Sequence, residues 1–141
     1  MRALIDTCIV VDVLQNREPF AETAQAIFLA VANHRFDGFL TAKSITDIYY
    51  ITHRATHSDK ETRRVLSTLF SLFELLDTTG MDCRHALSSN LTDYEDAVMV
   101  ASAVRANIDC IVTRNQKDYA SSPVPVYDPV EFQKRITITD E

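Results

Sequence analysis

Short apolar runs alternate with amphipathic segments along almost the whole chain, and this alternation limits the fold more than any other feature. Short apolar runs are typical of buried strands, whereas apolar residues spaced by three or four are typical of helices. The proline-containing run 123–127 can form only an edge strand. The predicted core strands are residues 2–5, 39–41, 75–76 and 108–113. This order predicts an α/β fold in which helices cover both faces of a parallel sheet.

The helices are predicted from their apolar stripes and from the polar residues that open them. Ser44 is the predicted N-cap of a helix that continues to about Thr56. Residues 58–61 and 92–95 have the capping-box pattern, and Asp128 with Pro129 predicts the start of a terminal helix. The predicted helices cover about 8–14, 20–31, 44–56, 58–73, 82–89, 92–104 and the residues after 128.

The composition indicates one domain that spans residues 1–141 and buries a substantial core, since 46% of the residues are hydrophobic. The formal charge of −6 excludes a generally basic, nonspecific nucleic-acid binder, but it is compatible with acids gathered in a metal pocket. Three cysteines without CxxC spacing argue against disulfides or a zinc site and favour a reducing cytoplasm. The chain has no apolar run of about 18 residues, so we expect no membrane span.

Polar side chains stand where predicted strands end or predicted helices begin. Asp6 follows the first strand, and Asp47 and Asp96 lie near the starts of two helices. The fourth position is the polar turn from Asn115 to Asp118, although an ordinary loop explains that turn equally well. Ligands of α/β folds collect at the carboxyl ends of parallel strands, so we expect these side chains to converge there. Such carboxylates form a hard-oxygen site for Mg²⁺ or Mn²⁺, which suits phosphodiester hydrolysis.

Helix capping is the alternative explanation for each carboxylate. Asp6 is as well explained by capping as by function, and Asp47 taken alone is better explained as a first-turn acid. Asp96 is different, because Glu95 already fills that position and Asp96 lies on the apolar face of its helix. A charge on a buried face needs a partner or a metal ion. Asp93 shares this face and is either a second ligand or a favourable first-turn acid.

Three groups of residues together resemble the motifs of a known family. The opening motif of that family is similar to Leu4–Thr7, and its central acidic motif is similar to Ser44–Tyr50. Its two C-terminal motifs are similar to residues 96–103 and 111–119. The family is that of the PIN-domain ribonucleases, which includes VapC-type toxins of bacterial toxin–antitoxin pairs. The likeness extends from residue 2 to about residue 132, with the motifs in the same order and spacing.

The resemblance implies a three-layer α/β/α PIN fold with a central parallel sheet of four to five strands, and it implies a homodimer. It also implies a Mg²⁺- or Mn²⁺-dependent endoribonuclease that cuts single-stranded RNA. Asp6 and Asp96 would bind the metal ion directly, and Asp93 or Asp118 could supply charge where the family has a fourth acid. Matched by position, the catalytic quartet is Asp6, Asp47, Asp96 and Asn115.

This chain departs from the family pattern at three positions. Cys8 stands where the family usually has an asparagine that can orient Asp6. Asp47 replaces a glutamate and is one methylene shorter, so its carboxylate would act through water. Asn115 replaces an aspartate and keeps an oxygen donor without the charge. These departures concern the affinity for metal more than the fold.

The expected chemistry is in-line attack of a metal-activated water on an RNA phosphodiester, which leaves a 5′-phosphate and a 3′-hydroxyl. Arg114, Lys117 and Lys43 lie beside the acidic positions and are candidates to hold backbone phosphates. Solvated loop charges explain any one of these three equally well. A toxin of this kind would have an antitoxin partner whose tail blocks the acidic pocket.

Other functions are alternatives to this one. A phosphotransfer enzyme of the haloacid-dehalogenase type needs a second aspartate two residues after Asp6, where this chain has Cys8. A receiver domain needs paired acids after the first strand and a lysine after the last, and neither pattern is clear. The alternative from a different class is a catalytically weakened PIN-like module that binds RNA or a partner protein, which Asn115 makes plausible.

Overall fold

Five parallel strands form the centre of the molecule. A computed structural model describes residues 1–139, so the last two residues of the predicted 1–141 domain lie outside the described part. Across the sheet the strand order is β3-β2-β1-β4-β5, and all four neighbouring pairs are parallel. The strands are β1 (Arg2–Ile5), β2 (Asp37–Thr41), β3 (Glu74–Leu76), β4 (Cys110–Val112) and β5 (Val126–Tyr127).

Seven α-helices and one 3₁₀ helix connect and cover these strands within the described residues. The 3₁₀ helix, Gln116–Tyr119, follows β4 after a short turn. The α-helices are α1 (Thr7–Leu14), α2 (Ala21–Ala32), α3 (Ala42–Thr56), α4 (Asp59–Leu72), α5 (Gly80–Ala86), α6 (Tyr94–Arg105) and α7 (Pro129–Thr139). Among residues 1–139, none of the helices combines the length and the apolar character needed to cross a membrane.

The two faces of the sheet bury separate cores, because successive residues of a strand point to opposite sides. Ala3 and Ile5 pack on one face against side chains of α1, α2, α3, α4 and α7. Leu4, between them, packs on the other face with Met99 and Ala103 of α6. The α/β/α layers and the parallel sheet confirm the predicted fold class.

Three helix starts differ from the prediction. Helix α3 is capped by Thr41, whose hydroxyl accepts a hydrogen bond from the backbone N–H of Ser44 at 3.2 Å, so Ser44 is not the N-cap. Thr41 is also the last residue of β2, which therefore passes into α3 without a loop. Helix α6 is capped by Asp93 instead of residue 92. Helix α5 is capped by a box of Thr79 and Asp82, and it starts two residues earlier and ends three residues earlier than predicted.

Two ion pairs tie distant segments together on opposite sides of the sheet. Asp82, which is 1% exposed, accepts hydrogen bonds from Arg105 at 3.1 Å and from Ser102 at 2.9 Å, and so joins α5 to α6. Asp12, also 1% exposed, pairs with Arg114 at 2.8 Å and so joins α1 to the turn after β4. Each pair satisfies a buried carboxylate that would otherwise be costly.

Candidate active site

Asp6 stands directly after β1, and its backbone continues the sheet because its N–H donates to the carbonyl of Val112 at 3.0 Å. Asp6 is the N-cap residue of α1, yet its side chain makes no capping hydrogen bond. Its Oδ2 accepts hydrogen bonds from the hydroxyl of Thr113 at 2.7 Å and, more weakly, from the thiol of Cys8 at 3.6 Å. Capping therefore does not explain this carboxylate, which is turned toward the end of the neighbouring strand.

Asp96 lies in the first turn of α6, where its backbone N–H donates to Oδ1 of the cap residue Asp93 at 3.1 Å. Its own carboxylate serves a different purpose. Oδ1 of Asp96 accepts a 3.0 Å hydrogen bond from the hydroxyl of Tyr119, a side chain that is 2% exposed. This contact joins the start of α6 to the 3₁₀ helix and fixes the position of the carboxylate.

Burial and nearby negative charge raise the tendency of both carboxylates to hold a proton. Burial raises the pKa of Asp96 to about 6, the charges of Asp6, Asp93 and Asp118 contribute in the same direction, and the hydrogen bond from Tyr119 opposes them. Burial also raises the pKa of Asp6, with a smaller contribution from the charge of Asp118. Carboxylates in this condition favour a nearby cation, and raised pKa values of this origin are frequent at functional sites.

Asp47 lies in the second turn of α3, beyond the first-turn position predicted for it, so neither capping nor the helix dipole accounts for it. Its Oδ2 accepts a 2.8 Å hydrogen bond from the ammonium of Lys43. The same ammonium lies 3.2 Å from Glu95 of α6. Burial lowers the pKa of Lys43, but the hydrogen bonds to Asp47 and Glu95 outweigh burial and raise it, so Lys43 is charged at neutral pH.

A cleft of about 490 Å³ brings most of these side chains together at the carboxyl edge of the sheet. Its walls come from the end of β1, from α3 between Lys43 and Arg54, and from the first half of α6. Four carboxylates and two basic side chains face it, among a few neutral ones. The lining residues are Asp6, Thr7, Lys43, Ser44, Asp47, Tyr50, Ile51, Arg54, Glu95, Asp96 and Met99.

The turn after β4 contributes from outside the cleft lining. The backbone N–H of Asn115 donates to the hydroxyl of Thr113 at 3.1 Å, which links it indirectly to Asp6. Asp118 acts on Asp6 and Asp96 through its charge. Lys117 is exposed on the same 3₁₀ helix and does not line the cleft.

Arg114 pairs with Asp12, outside the cleft lining. Its Nε and Nη2 atoms donate to the two oxygens of Asp12 at 2.8 and 3.1 Å. The guanidinium also lies 4.1 Å from the centre of the Phe20 ring. These contacts explain Arg114 as a structural residue that anchors the turn, and they leave its candidacy as a phosphate ligand without geometric support.

The donor set fits a small hard cation. Among residues 1–139, no group of three or more His, Cys, Asp or Glu side chains is arranged to hold a metal ion. Mg²⁺ does not require such a group, because it keeps several waters and binds proteins through one or two carboxylates. Asp6 and Asp96 provide such a pair, and burial has already raised the pKa of both, so a cation would relieve an existing cost.

Several residues of this site were not singled out by the sequence. The sequence places Thr113 at the end of a strand and within a C-terminal motif but gives it no role of its own, although it bonds both Asp6 and Asn115. The sequence gives Tyr119 no role beyond its place in a motif, although a buried tyrosine hydroxyl normally needs a hydrogen-bond partner. The sequence explains Glu95 by helix capping alone, whereas in the structure it faces the cleft.

The fold and the cleft together define an α/β protein with an acidic site at the carboxyl ends of parallel strands. The family model of the PIN domain matches residues 2–117. The chain therefore belongs to the PIN domain family. No curated protein matches it in sequence.

Solved structures of similar fold include toxin–antitoxin proteins. A toxin–antitoxin complex from Klebsiella pneumoniae has 22% identity and a TM-score of 0.67, over 90% of this chain and 97% of that one. VapBC2 from Rickettsia felis, bound to a DNA fragment from its promoter, has 14% identity and a TM-score of 0.67, over 91% and 98%. VapC20 from Mycobacterium tuberculosis, a toxin that cleaves the sarcin-ricin loop, has 11% identity and a TM-score of 0.66, over 84% and 93%.

Proposed function

We propose that this protein is a Mg²⁺- or Mn²⁺-dependent endoribonuclease that cuts single-stranded RNA in the cytoplasm. The observation that carries the proposal is the pairing of Asp6 and Asp96 beside one cleft, with the pKa of both raised by burial. Neither carboxylate is used as a helix cap, and each is held by a hydroxyl from the segment that follows β4. Membership of the PIN domain family supports the same function.

Each residue of the cleft has a distinct role in this proposal. Asp6 and Asp96 hold the ion, and Thr113 and Tyr119 fix the orientation of these two carboxylates. When bound, the ion supplies a water of lowered pKa and positive charge beside the phosphoryl oxygens. Asp47 shapes the opposite wall of the cleft, and its charge is balanced by Lys43.

The turn after β4 has a supporting role. Asn115 carries an amide oxygen without adding negative charge, and its backbone N–H is hydrogen-bonded to Thr113, which bonds Asp6. Asp118 supplies negative charge that favours a cation at Asp6 and Asp96. Asp93 caps α6, and its negative charge acts on Asp96 in the same direction as that of Asp118. Asp118 and Asp93 are both proposed to act through charge, since neither lines the cleft.

We extend the proposal to a toxin with an antitoxin partner. Its support is the fold shared with toxin–antitoxin complexes from Klebsiella pneumoniae and Rickettsia felis. The antitoxin would block the acidic cleft with a basic side chain, and the active form would be a homodimer. The gene beside this one should then encode a small DNA-binding protein. Co-expression of the two followed by size-exclusion chromatography tests the pairing, and two proteins that elute separately would argue against it.

The nuclease itself is tested by cleavage of single-stranded RNA by purified protein with Mn²⁺, Mg²⁺ or EDTA. We expect cleavage with either ion and none with EDTA. Asp6→Asn and Asp96→Asn should each reduce the rate by at least 100-fold. Glu22→Gln, which changes an exposed carboxylate on α2, is the matched control and should cleave normally. A wild-type protein that never cleaves RNA with these ions would refute the proposal.

A second candidate is a PIN-like module that binds RNA or a protein without cutting. Two observations favour it: the fourth family position holds Asn115, and the carboxylate of Asp47 is engaged by Lys43. This module would bind RNA without releasing shorter fragments, and Asp96→Asn would leave its RNA affinity unchanged or higher. The same cleavage experiment, with binding measured in parallel, separates the two functions.

A further inference from the structure

Lys43 contacts acidic residues of two different helices inside the cleft. Its ammonium lies 2.8 Å from Oδ2 of Asp47 on α3 and 3.2 Å from Oε2 of Glu95 on α6. A lysine four residues before an aspartate often pairs with it on a helix surface, and such a pair needs no functional explanation. The second carboxylate is different, because it comes from a segment about fifty residues away and lines the same cleft.

The charges that line the cleft indicate how many ions it accepts. The charged lining residues are four carboxylates, Lys43 and Arg54, which gives a formal charge of −2. One divalent ion balances the charge of the lining residues, and Asp93 and Asp118 add negative charge from outside the lining, beside Asp96. Without Lys43 the formal charge of the lining would be −3. Asp47 and Glu95 would then lack the positive charge between them, and a second ion could bind there.

The position of Lys43 is as important as its charge. Its side chain is 33% exposed, so the ammonium lies partly within the cleft wall instead of moving freely in solvent. It faces Asp47 and Glu95, while Asp6 and Asp96 are held by Thr113 and Tyr119. The cleft thus has two pairs of carboxylates, one already bridged by a cation of the protein and one without such a bridge among the described contacts.

We infer that Lys43 is a built-in cation that takes the place of a second metal ion, so that the cleft binds one divalent ion at Asp6 and Asp96. This inference rests on the metal dependence in the proposed function and adds its stoichiometry. Lys43 is a positioning residue in this scheme. It holds Asp47 and Glu95 in place and keeps them from recruiting a second ion.

The test measures Mn²⁺ binding without RNA, by isothermal titration calorimetry and electron paramagnetic resonance. We expect one Mn²⁺ per chain for wild type and two for Lys43→Met, with a spin-coupled pair in the resonance spectrum of the variant. Lys43→Arg keeps the charge and should bind one ion. Asp96→Asn should lose the ion seen in wild type. Circular dichroism and the melting temperature of each variant check that it is folded.

The outcomes test the role of Lys43 separately from the proposed nuclease activity. Two ions bound to wild type, or one ion bound to a folded Lys43→Met variant, would overturn the role of Lys43 whatever the RNA result. One ion in wild type and two in Lys43→Met would support it even if the protein failed to cleave RNA. Wild type that binds no Mn²⁺ would overturn both the inference and the metal dependence of the proposed function.

Discussion

The hydroxyl of Tyr119 donates a 3.0 Å hydrogen bond to Oδ1 of Asp96 across the boundary between the 3₁₀ helix and α6. Tyr119 is buried, and burial together with the charges of Asp6 and Asp96 raises its own pKa far above the usual tyrosine value. Tyr119 therefore keeps its proton and always acts as the donor. Its partner Asp96 is the group whose ionisation changes near neutral pH.

Tyr119→Phe should move the pH dependence of metal binding to higher pH. Burial holds the pKa of Asp96 near 6, and the bond from Tyr119 works against that rise, so its loss should raise the pKa further. More base is then needed to ionise Asp96. Mn²⁺ titrations between pH 5 and 8 measure the shift, which we expect to be about half a pH unit or more for a bond of about 1 kcal/mol.

The matched control is Tyr94→Phe, which also removes a tyrosine hydroxyl that donates a hydrogen bond, in this case to the carbonyl of Cys83 at 2.8 Å. That bond does not involve a carboxylate of the cleft. The binding profile of Tyr94→Phe should therefore match that of wild type. Equal profiles for Tyr119→Phe and wild type would show that Tyr119 does not influence Asp96.

Asp96→Asn should stabilise the metal-free protein near neutral pH while it abolishes metal binding. Because the folded state raises the pKa of Asp96 from 3.8 to about 6, the charged form costs stability, and that cost grows as the pH rises from about 4 to above 6. Since Asp96 is only partly buried, we expect a gain of about 1 kcal/mol at pH 7.5, or roughly 3 °C in melting temperature.

Thermal unfolding in EDTA at pH 7.5 and pH 4 measures this effect, and the two proteins should melt together at pH 4. Added Mg²⁺ should raise the melting temperature of wild type, because it binds only the folded state, and should leave Asp96→Asn unchanged. A variant that melts below wild type in EDTA at pH 7.5 would contradict the expected cost of the charge.

Asp82→Asn should destabilise the fold by about 2 kcal/mol, because it replaces a buried carboxylate that bonds Arg105, Ser102 and the backbone N–H of Thr79. Burial alone would raise the pKa of Asp82, but the bonds to Arg105, Thr79 and Ser102 outweigh it and hold the pKa at about 2. The contribution of Asp82 is therefore fully present above pH 4 and is lost as the pH falls toward 2.

Urea unfolding at pH 7 and at pH 2.5 measures the difference between wild type and Asp82→Asn, which should be smaller at pH 2.5. Asp59→Asn removes an exposed carboxylate that pairs with Arg63 and accepts a hydrogen bond from Tyr49, and it should destabilise the fold much less than Asp82→Asn. Equal losses in the two variants would mean that burial of Asp82 adds nothing to its pair with Arg105.

Arg114→Met should cost about 3 kcal/mol, because it leaves the buried carboxylate of Asp12 without its partner. In the double variant with Asp12→Asn, part of this loss should return, since no buried charge is then left alone. Urea unfolding of wild type, both single variants and the double variant gives the coupling between the two residues. Additive losses would show that the pair is not coupled, and Arg63→Met serves as the exposed control.

The order of strands and helices could be predicted from the sequence because periodicity is a local property. The helix caps were harder to predict from the sequence. Ser44 and Thr41 are both plausible caps, and only the direct passage from β2 into α3 assigns the role to Thr41. Similarly, Asp93 and residue 92 compete for the start of α6, and the hydrogen bond to Asp96 decides for Asp93.

The candidate site, too, could be predicted from the sequence only in part. The placement of Asp6 and Asp96 near each other follows from the general position of ligand sites in parallel sheets. The pairing of Arg114 with Asp12, 102 residues apart, depends on how α1 packs beside the turn after β4, and no local pattern contains that information. The sequence indicated that Asp96 needs a partner, but the identity of Tyr119 required the fold.

The absence of a loop between β2 and α3 makes one wall of the cleft intolerant of insertions. Thr41 ends the strand and caps the helix, so there is no spare length of chain at this junction. One inserted residue would turn α3 by about 100° about its axis, and Lys43 and Asp47 would leave the cleft together. The segment between α5 and α6 is not bound by such a junction. We therefore expect natural variation in chain length near this site to fall there and not after β2.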